Sequence, residues 1–303
     1  MTARPLISII TPVFNRADMI GEALASVRAQ DYPEVEHIVI DGGSSDGTVE
    51  LLRGAPGLRW LSEPDDGLYD AINKGLRLAR GEIVGHLNSD DVYLPGAFRA
   101  AAATLAENPA ADAVCGGAVV ARRAPDGSWK VVRTIEDARI KRLDWHSLTR
   151  GVPITNARFF RRSWYARAGD YDPHYRFAAD REFLIRSLML GMKTVPLAPL
   201  VYRYRLHGGS LTINENNRSN RALIDEYLEI AGRLMAATDL PGGLRRAACA
   251  WYAVEMMRLL LQQARAREWA RARRTALTAM GQLAARPHLA AANALRWPPG
   301  ERR

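Results

Sequence analysis

The sequence predicts an α/β fold, a mostly parallel Rossmann-like sheet flanked by helices, with a C-terminal α-helical extension. Three observations predict it. Apolar runs of strand length alternate with amphipathic helical segments through the first hundred residues, and the acid-rich segments fall where strands end. From Asn220 onward the pattern becomes helical, rich in alanine and arginine.

Residues 6 to 14, Leu-Ile-Ser-Ile-Ile-Thr-Pro-Val-Phe, form the nearly continuous apolar run of a parallel strand covered on both faces. Asn15, Arg16 and Ala17 then turn into a helix with Ile20, Leu24 and Val27 on one face. A second strand, Val35 to Ile40, ends in Asp41-Gly42-Gly43-Ser44-Ser45-Asp46-Gly47-Thr48, and Val49, Leu51 and Leu52 mark the next helix. Trp60 and Leu61 suggest a short third strand, and Ile72, Leu76 and Ala79 give the following helix its buried face. The strand Ile83 to Leu87 runs into Asn88-Ser89-Asp90-Asp91 and a helix with Pro95 in its first turn. Beyond it, Val114 to Ala121 and Trp129 to Ile135 read as an antiparallel hairpin, Asp180 opens a helix, and residues 200 to 206 form a late strand. Such an order implies right-handed crossovers, with ligands beyond the carboxyl ends of the strands.

With 303 residues, 48% of them hydrophobic, the chain can bury a sizeable core. Its two cysteines, Cys115 and Cys249, have neither the number of a disulfide framework nor the spacing of a zinc site. The early first strand leaves no room for a signal peptide, no run is long enough to span a bilayer, and a cytoplasmic protein is expected. The formal charge of +9 is unevenly placed: Pro241 to Arg303 holds 12 Arg, no Lys and 3 Glu, so the excess lies in the tail.

Asp90 and Asp91 carry the strongest chemical signal. Two adjacent carboxylates at a strand end repel each other, so a cation is expected beside them. Hard oxygen ligands suit Mg²⁺ or Mn²⁺, which take a few carboxylates plus the phosphates of a nucleotide. A helix cap is the plainer role for an isolated acid there. The glycines at 42, 43 and 47 lack the spacing of a dinucleotide loop and no lysine is placed for a P-loop, so the dehydrogenase and NTPase readings lose their main support.

Four blocks occur in order: Thr11 to Arg16, Asp41 to Thr48, Glu63-Pro64-Asp65-Asp66-Gly67-Leu68-Tyr69-Asp70-Ala71-Ile72-Asn73-Lys74-Gly75, and Asn88 to Asp91. Together they resemble the family 2 glycosyltransferases with a GT-A fold, and the third block looks most like bacterial enzymes of polysaccharide biosynthesis. The resemblance covers residues 5 to about 215. It implies a GT-A domain over 1–218 with a helical extension over 219–303, and transfer of a sugar, with inversion, from a nucleotide donor, usually UDP-linked. By position, Pro12 and Val13 would line the base with backbone groups and Asp41 would stand near the uracil, although relatives carry a second acid where this chain has Gly42. Asp66, Asn73 and Lys74 match the pocket segment, with Lys74 the partner for diphosphate charge. Asp90 would face the ribose or metal shell, and Asp91 would be the direct metal ligand.

Transfer also needs a base, because a sugar hydroxyl is a poor nucleophile at neutral pH. Asp180 matches the place of the family's catalytic Asp, with Glu182 second. His207 sits where related enzymes place a histidine on the metal or diphosphate, and so is a second candidate ligand. Most of Trp145, Phe159, Phe160 and Trp164 should be core, with a tryptophan near the cleft able to stack on a sugar. The expected partners are a nucleotide sugar and a glycan or lipid-linked acceptor, not nucleic acid. The basic, tryptophan-containing tail suggests peripheral contact with the inner face of a membrane. Two other readings share part of the pattern. A non-catalytic nucleotide-sugar module would need Asp91 or Asp180 misplaced, and a nucleotidyltransferase usually begins with a glycine-rich basic loop that Thr11 to Arg16 lacks.

Overall fold

The computed structural model describes residues 4–149, 151, 154–208 and 221–286. The chain divides into two compact units, one of 1–148 with 152–216, the other of 149–151 with 217–303.

In the first unit the continuous apolar run becomes β1 (Ile7–Val13), buried along its whole length. It is buried because parallel strands pair with it on both sides: β2 (Val35–Asp41) and β4 (Ile83–His86). Beyond β2 lies β3 (Leu58–Ser62), also parallel. The connections are α1 (Ile20–Arg28), α2 (Thr48–Gly54) and α3 (Leu68–Leu78). From α1, Ile20, Ala23, Leu24 and Val27 point into the core. Gly75 lets α3 lie directly on Ile10, where any side chain would collide.

The second half adds antiparallel pairings. After β5 (Val92–Tyr93) and α4 (Ala97–Glu107), the hairpin forms as β6 (Ala113–Arg123) and β7 (Trp129–Ile135). Two short helices, α5 (Ala138–Arg142) and α6 (Trp145–Thr149), precede a 3₁₀ turn at Thr155–Ala157 and β8 (Arg158–Arg161). Then come α7 (Arg162–Ala168), α8 (Ala179–Met189) and β9 (Thr194–Leu206). The strand order is β3-β2-β1-β4-β8-β6-β9-β5, with β7 paired to β6. β4 meets β8 and β8 meets β6 antiparallel, so the parallel half stops at β4. Phe159, Phe160 and Trp164 are core. Trp164 donates its Nε1–H to Ser187 at 2.9 Å.

The second unit is helical: α9 (Arg221–Ala236), α10 (Gly242–Arg265) and α11 (Trp269–Ala284). α10 packs against both others. Its Trp251 is buried and donates to Glu255 at 3.2 Å, and Arg258 holds the same carboxylate at 2.9 Å. Pro287 and Trp297, part of the tail's expected pattern, lie outside the described residues.

Candidate active site at the carboxyl ends of the strands

The parallel strands end together, and their loops are bolted to one another. Asp46 accepts the N–H of Ala17 at 3.0 Å and those of Thr48, N–H at 3.1 Å and O–H at 2.6 Å. Asn15 donates its N–H to Ser44 Oγ at 2.7 Å and accepts Ser45 N–H at 2.9 Å. Val13 gives its carbonyl to Gly42 N–H, and Pro12 is buried. Asp41 is wholly buried, and its oxygens accept from Gly43 N–H, Ser44 N–H, Ser44 Oγ and Ser62 Oγ. It ties the loop together.

The pocket segment is tied into the protein in the same way. Asn73 is buried and exchanges two hydrogen bonds with the backbone of Tyr171, at 2.8 and 3.0 Å. It joins α3 to the turn before α8. Lys74 donates to Pro64 C=O and Glu63, both at 2.9 Å, with Asp70 at 3.5 Å. The hydrogen bond to Glu63 and the charges of Asp70 and Glu63 hold its ammonium above the usual lysine value. Asp66 is exposed, and its N–H is held by Asp70 at 3.2 Å.

Asp90 and Asp91 have opposite surroundings. Asp91 is buried; Oδ1 accepts Arg205 N–H at 2.9 Å, and Oδ2 accepts the Tyr202 hydroxyl at 3.0 Å and Asn88 Nδ2 at 3.2 Å. Burial and the charge of Asp90 push its carboxyl up to about 8. Both oxygens of Asp91, the expected direct ligand, face protein donors. Asp90 keeps 21% of its side chain exposed, as does His207, and they meet at 2.9 Å. Burial alone would raise the Asp90 carboxyl, but the hydrogen bond and charge of His207 hold it below the ordinary value. Arg205 locks the pair from behind: its guanidinium bonds Asp90 C=O, Met19 C=O and Glu22. Gly209 and Ser210 lie outside the described residues.

Among the described residues no cluster of three His, Cys, Asp or Glu forms a closed metal cage. The Asp90 carboxylate and the His207 imidazole, hydrogen-bonded to each other, are partly exposed oxygen and nitrogen donors of a kind that suits Mg²⁺ or Mn²⁺.

Asp180 lies partly exposed in the first turn of α8. It accepts Arg181 N–H at 2.7 Å and the Thr155 hydroxyl at 3.1 Å. Burial raises its carboxyl, against the charge and N–H of Arg181. Glu182 is instead paired with Arg186 at 2.9 Å. The next residue along the 3₁₀ turn, Asn156, donates to Tyr202 Oη at 3.2 Å, and Tyr202 holds Asp91. Thr155 and Asn156 thus link the Asp180 carboxylate to the acid pair. Neither they nor Tyr202 and Arg205 were identifiable in sequence. A hydroxyl, an amide and a strand-end arginine carry no pattern until folding brings Asp91 and Asp180 to them.

The acid–histidine pair at the strand ends of the α/β sheet and the acid in the first turn of α8 make up the candidate site. Residues 8–169 match glycosyl transferase family 2. The chain belongs to that family. It is 35% identical over 195 residues to an uncharacterized glycosyltransferase of Mycobacterium tuberculosis, covering 63% of this chain and 71% of that relative. A PGL/p-HBAD biosynthesis glycosyltransferase of Mycobacterium bovis is 30% identical over 244 residues, 78% of this chain and 87% of that protein. Among solved structures, S. aureus TarS 1-349 in complex with UDP-GlcNAc matches with a TM-score of 0.60 at 19% identity, covering 84% of this chain and 72% of that one. The chain spans 43% of a longer TarS chain. The mannosyltransferase PcManGT from Pyrobaculum calidifontis, in complex with GDP-Man and Mn²⁺, matches with a TM-score of 0.52 at 20% identity, covering 97% and 88%. These likenesses establish the GT-A fold, and the protein is a glycosyltransferase.

Proposed function

We propose that the protein is an inverting glycosyltransferase. It moves a sugar from a UDP-linked donor to a hydroxyl of a glycan or lipid-linked acceptor in cell-surface polysaccharide or glycolipid biosynthesis. The observation that carries this reading is the 3₁₀ turn, whose Thr155 touches Asp180 while Asn156 reaches, through Tyr202, the buried carboxylate beside Asp90. One short segment sets base and donor-side acid relative to each other. The names of the relatives support the chemistry: one acts in PGL/p-HBAD biosynthesis, and a fold neighbour is bound to UDP-GlcNAc.

In this reading Asp180 accepts the proton of the acceptor hydroxyl as its oxygen attacks the anomeric carbon. The diphosphate departs from the opposite face, which inverts the configuration. Burial, which raises the Asp180 carboxyl, strengthens it as a base. Asp90 and His207 would hold a divalent ion, which when bound would supply positive charge near the diphosphate. Asp91, behind them, orients Arg205 and Tyr202. The test is a panel of nucleotide sugars and glycan or lipid-linked acceptors with Mn²⁺, with product configuration read by NMR. A product with the donor's own anomeric configuration overturns the mechanism.

A second proposal concerns where the protein works. Among the described residues no helix is long and apolar enough to cross a membrane. On α11, however, Trp269, Leu277 and Met280 are 65%, 56% and 58% exposed. At helical spacing they fall within an arc of about 80°. Arg273 lies in the same arc, and between 265 and 286 there are six arginines against Glu268. An uncovered apolar stripe set among arginines fits the surface of an anionic bilayer, where lipid-linked acceptors reside.

A further inference from the structure

The β6–β7 hairpin carries charge that the candidate site does not use. β8 pairs antiparallel with both β4 and β6, and β9 pairs parallel with β6, so β6 and β9 run in the direction of β1 to β4 and end at the same edge of the sheet as the acids. β6 does not stop at that edge. It leaves β8 at Cys115 and runs on to Arg123, roughly 25 Å at ordinary strand rise, with β9 along one side and β7 along the other. Paired residues on neighbouring strands point to the same face, and faces alternate along each strand. Val120 pairs with Tyr204 and Arg133, and Arg122 pairs with Leu206 and Lys130, so Arg122, Lys130 and Arg133 share the face of Tyr202 and Tyr204. On that face Tyr202 meets Asn156, beside the Thr155 that holds Asp180. Arg123 and Arg205 take the opposite face, where both lie over the Trp129 ring, 5.9 and 5.6 Å from its centroid. This stack braces the hairpin against the arginine that bonds Asp90 C=O.

Arg122, Lys130 and Arg133 are exposed. Among the described residues none of the three is paired with a carboxylate, whereas Arg59, Lys74, Arg186 and Arg205 each hold one. The acid of the hairpin, Asp126, is closed on the N–H and hydroxyl of Ser128. Three unpaired cations on one face of a braced ribbon repel one another, and an anion among them relieves the repulsion. We infer that Arg122, Lys130 and Arg133 receive a phosphate group of the acceptor. The inference rests on the glycosyltransfer reading and deepens it by naming the acceptor's class, a molecule that carries phosphate near the hydroxyl to be glycosylated. The arginine fork and the lysine ammonium both make charge-assisted hydrogen bonds to phosphate oxygens. The acceptor is the better occupant than the donor because these cations share the face that leads to Asp180, while Arg205, which holds Asp90, is on the other.

Calorimetry on the full chain, saturated with UDP and Mn²⁺ so that the donor side is filled, tests the inference with two pairs of probes: geranyl phosphate against geraniol, and glucose 6-phosphate against glucose. Wild type should bind at least one phosphate at least about tenfold more tightly than its uncharged partner, and the advantage should fade with salt. The pair that shows it tells whether the phosphate belongs to a lipid or to a sugar. Arg122→Gln with Lys130→Gln should remove about tenfold of that affinity at an unchanged thermal midpoint and unchanged UDP affinity, and Arg122→Lys, which keeps the charge, should retain most of it. Undiminished phosphate binding in the double variant, or equal binding of charged and uncharged probes by wild type, overturns the assignment and leaves the donor reading intact. Loss of UDP affinity in the double variant gives the cations to the donor and overturns it as well. Wild type that binds neither UDP nor GDP in Mn²⁺ overturns the donor reading and the inference with it.

Discussion

At the strand ends of the sheet, charge is abundant and mostly spent inside the protein; on α11, apolar surface is abundant and uncovered. The first region holds Asp41, Asp46, Asp91, Asn73 and Lys74, each tied to neighbours by hydrogen bonds or ion pairs. Asp65, Asp90 and Asp180 keep part of their surface open. The second region leaves Trp269, Leu277 and Met280 in the open. The difference teaches that residue type is a poor guide to role in either place. A polar side chain is a candidate for function where packing has left part of it open, and an apolar one where packing has left it unburied.

The comparison is broken most severely if Asp180 is not the base. Asp180→Asn preserves shape and removes the proton acceptor, so turnover should fall by about 10²- to 10⁴-fold while donor affinity stays nearly constant. Steady-state kinetics alongside calorimetry decides it; retained turnover passes the role to another group. In wild type the pH–rate profile should rise through a pKa above the ordinary Asp value of 3.8, the direction in which burial moves Asp180. A limb at or below 3.8 would exclude it.

The next largest effect separates the two adjacent acids. Asp90→Ala or His207→Ala should weaken Mn²⁺-dependent donor binding by on the order of tenfold or more. Asp91→Asn should leave metal dependence in place and change stability instead. The folded pKa of Asp91, about 8, lies above 3.8, so the folded state keeps a proton that the unfolded chain has released. Wild-type stability in metal-free buffer should therefore fall as pH rises through that window, and Asp91→Asn should flatten the slope of thermal midpoint against pH. Loss of metal dependence in Asp91→Asn alone would return the ligand role to Asp91.

A smaller effect is expected from Asn73→Ala, which strands the N–H and C=O of Tyr171. The loss should be about 1–3 kcal/mol, seen as a lower thermal midpoint with little change in donor affinity. A selective loss of donor binding would restore Asn73 to the pocket.

The smallest effect on catalysis should come from the helical unit. Trp269→Ser with Leu277→Ser should leave transfer to a soluble acceptor unchanged and abolish flotation with anionic vesicles. Each arginine near such a surface contributes about 1 kcal/mol, so wild-type binding should fade with salt. Wild-type flotation on neutral vesicles alone, or none at low salt, rejects lipid as the occupant. A dimer lost in the variant would identify a second copy there.

By itself the sequence determined much of the architecture. The buried run through Ile7–Val13, the acids at strand ends and the helical periodicity after residue 220 are local properties, because burial on both faces of a parallel strand demands unbroken apolar sequence. It also placed Asp90, Asp180 and His207 at the ends of their elements. What it could not determine is which acid of a pair faces outward. Asp90 and Asp91 are one residue apart, and their fates were decided by Tyr202 and Arg205, more than a hundred residues away. Likewise, Asp41 is held by Ser62, and Gly42 packs against Asp65, across connections absent from local sequence. The reason is physical: hydrogen bonding decides whether a carboxylate is a strut or a ligand, and its donors are assembled only when the chain has folded.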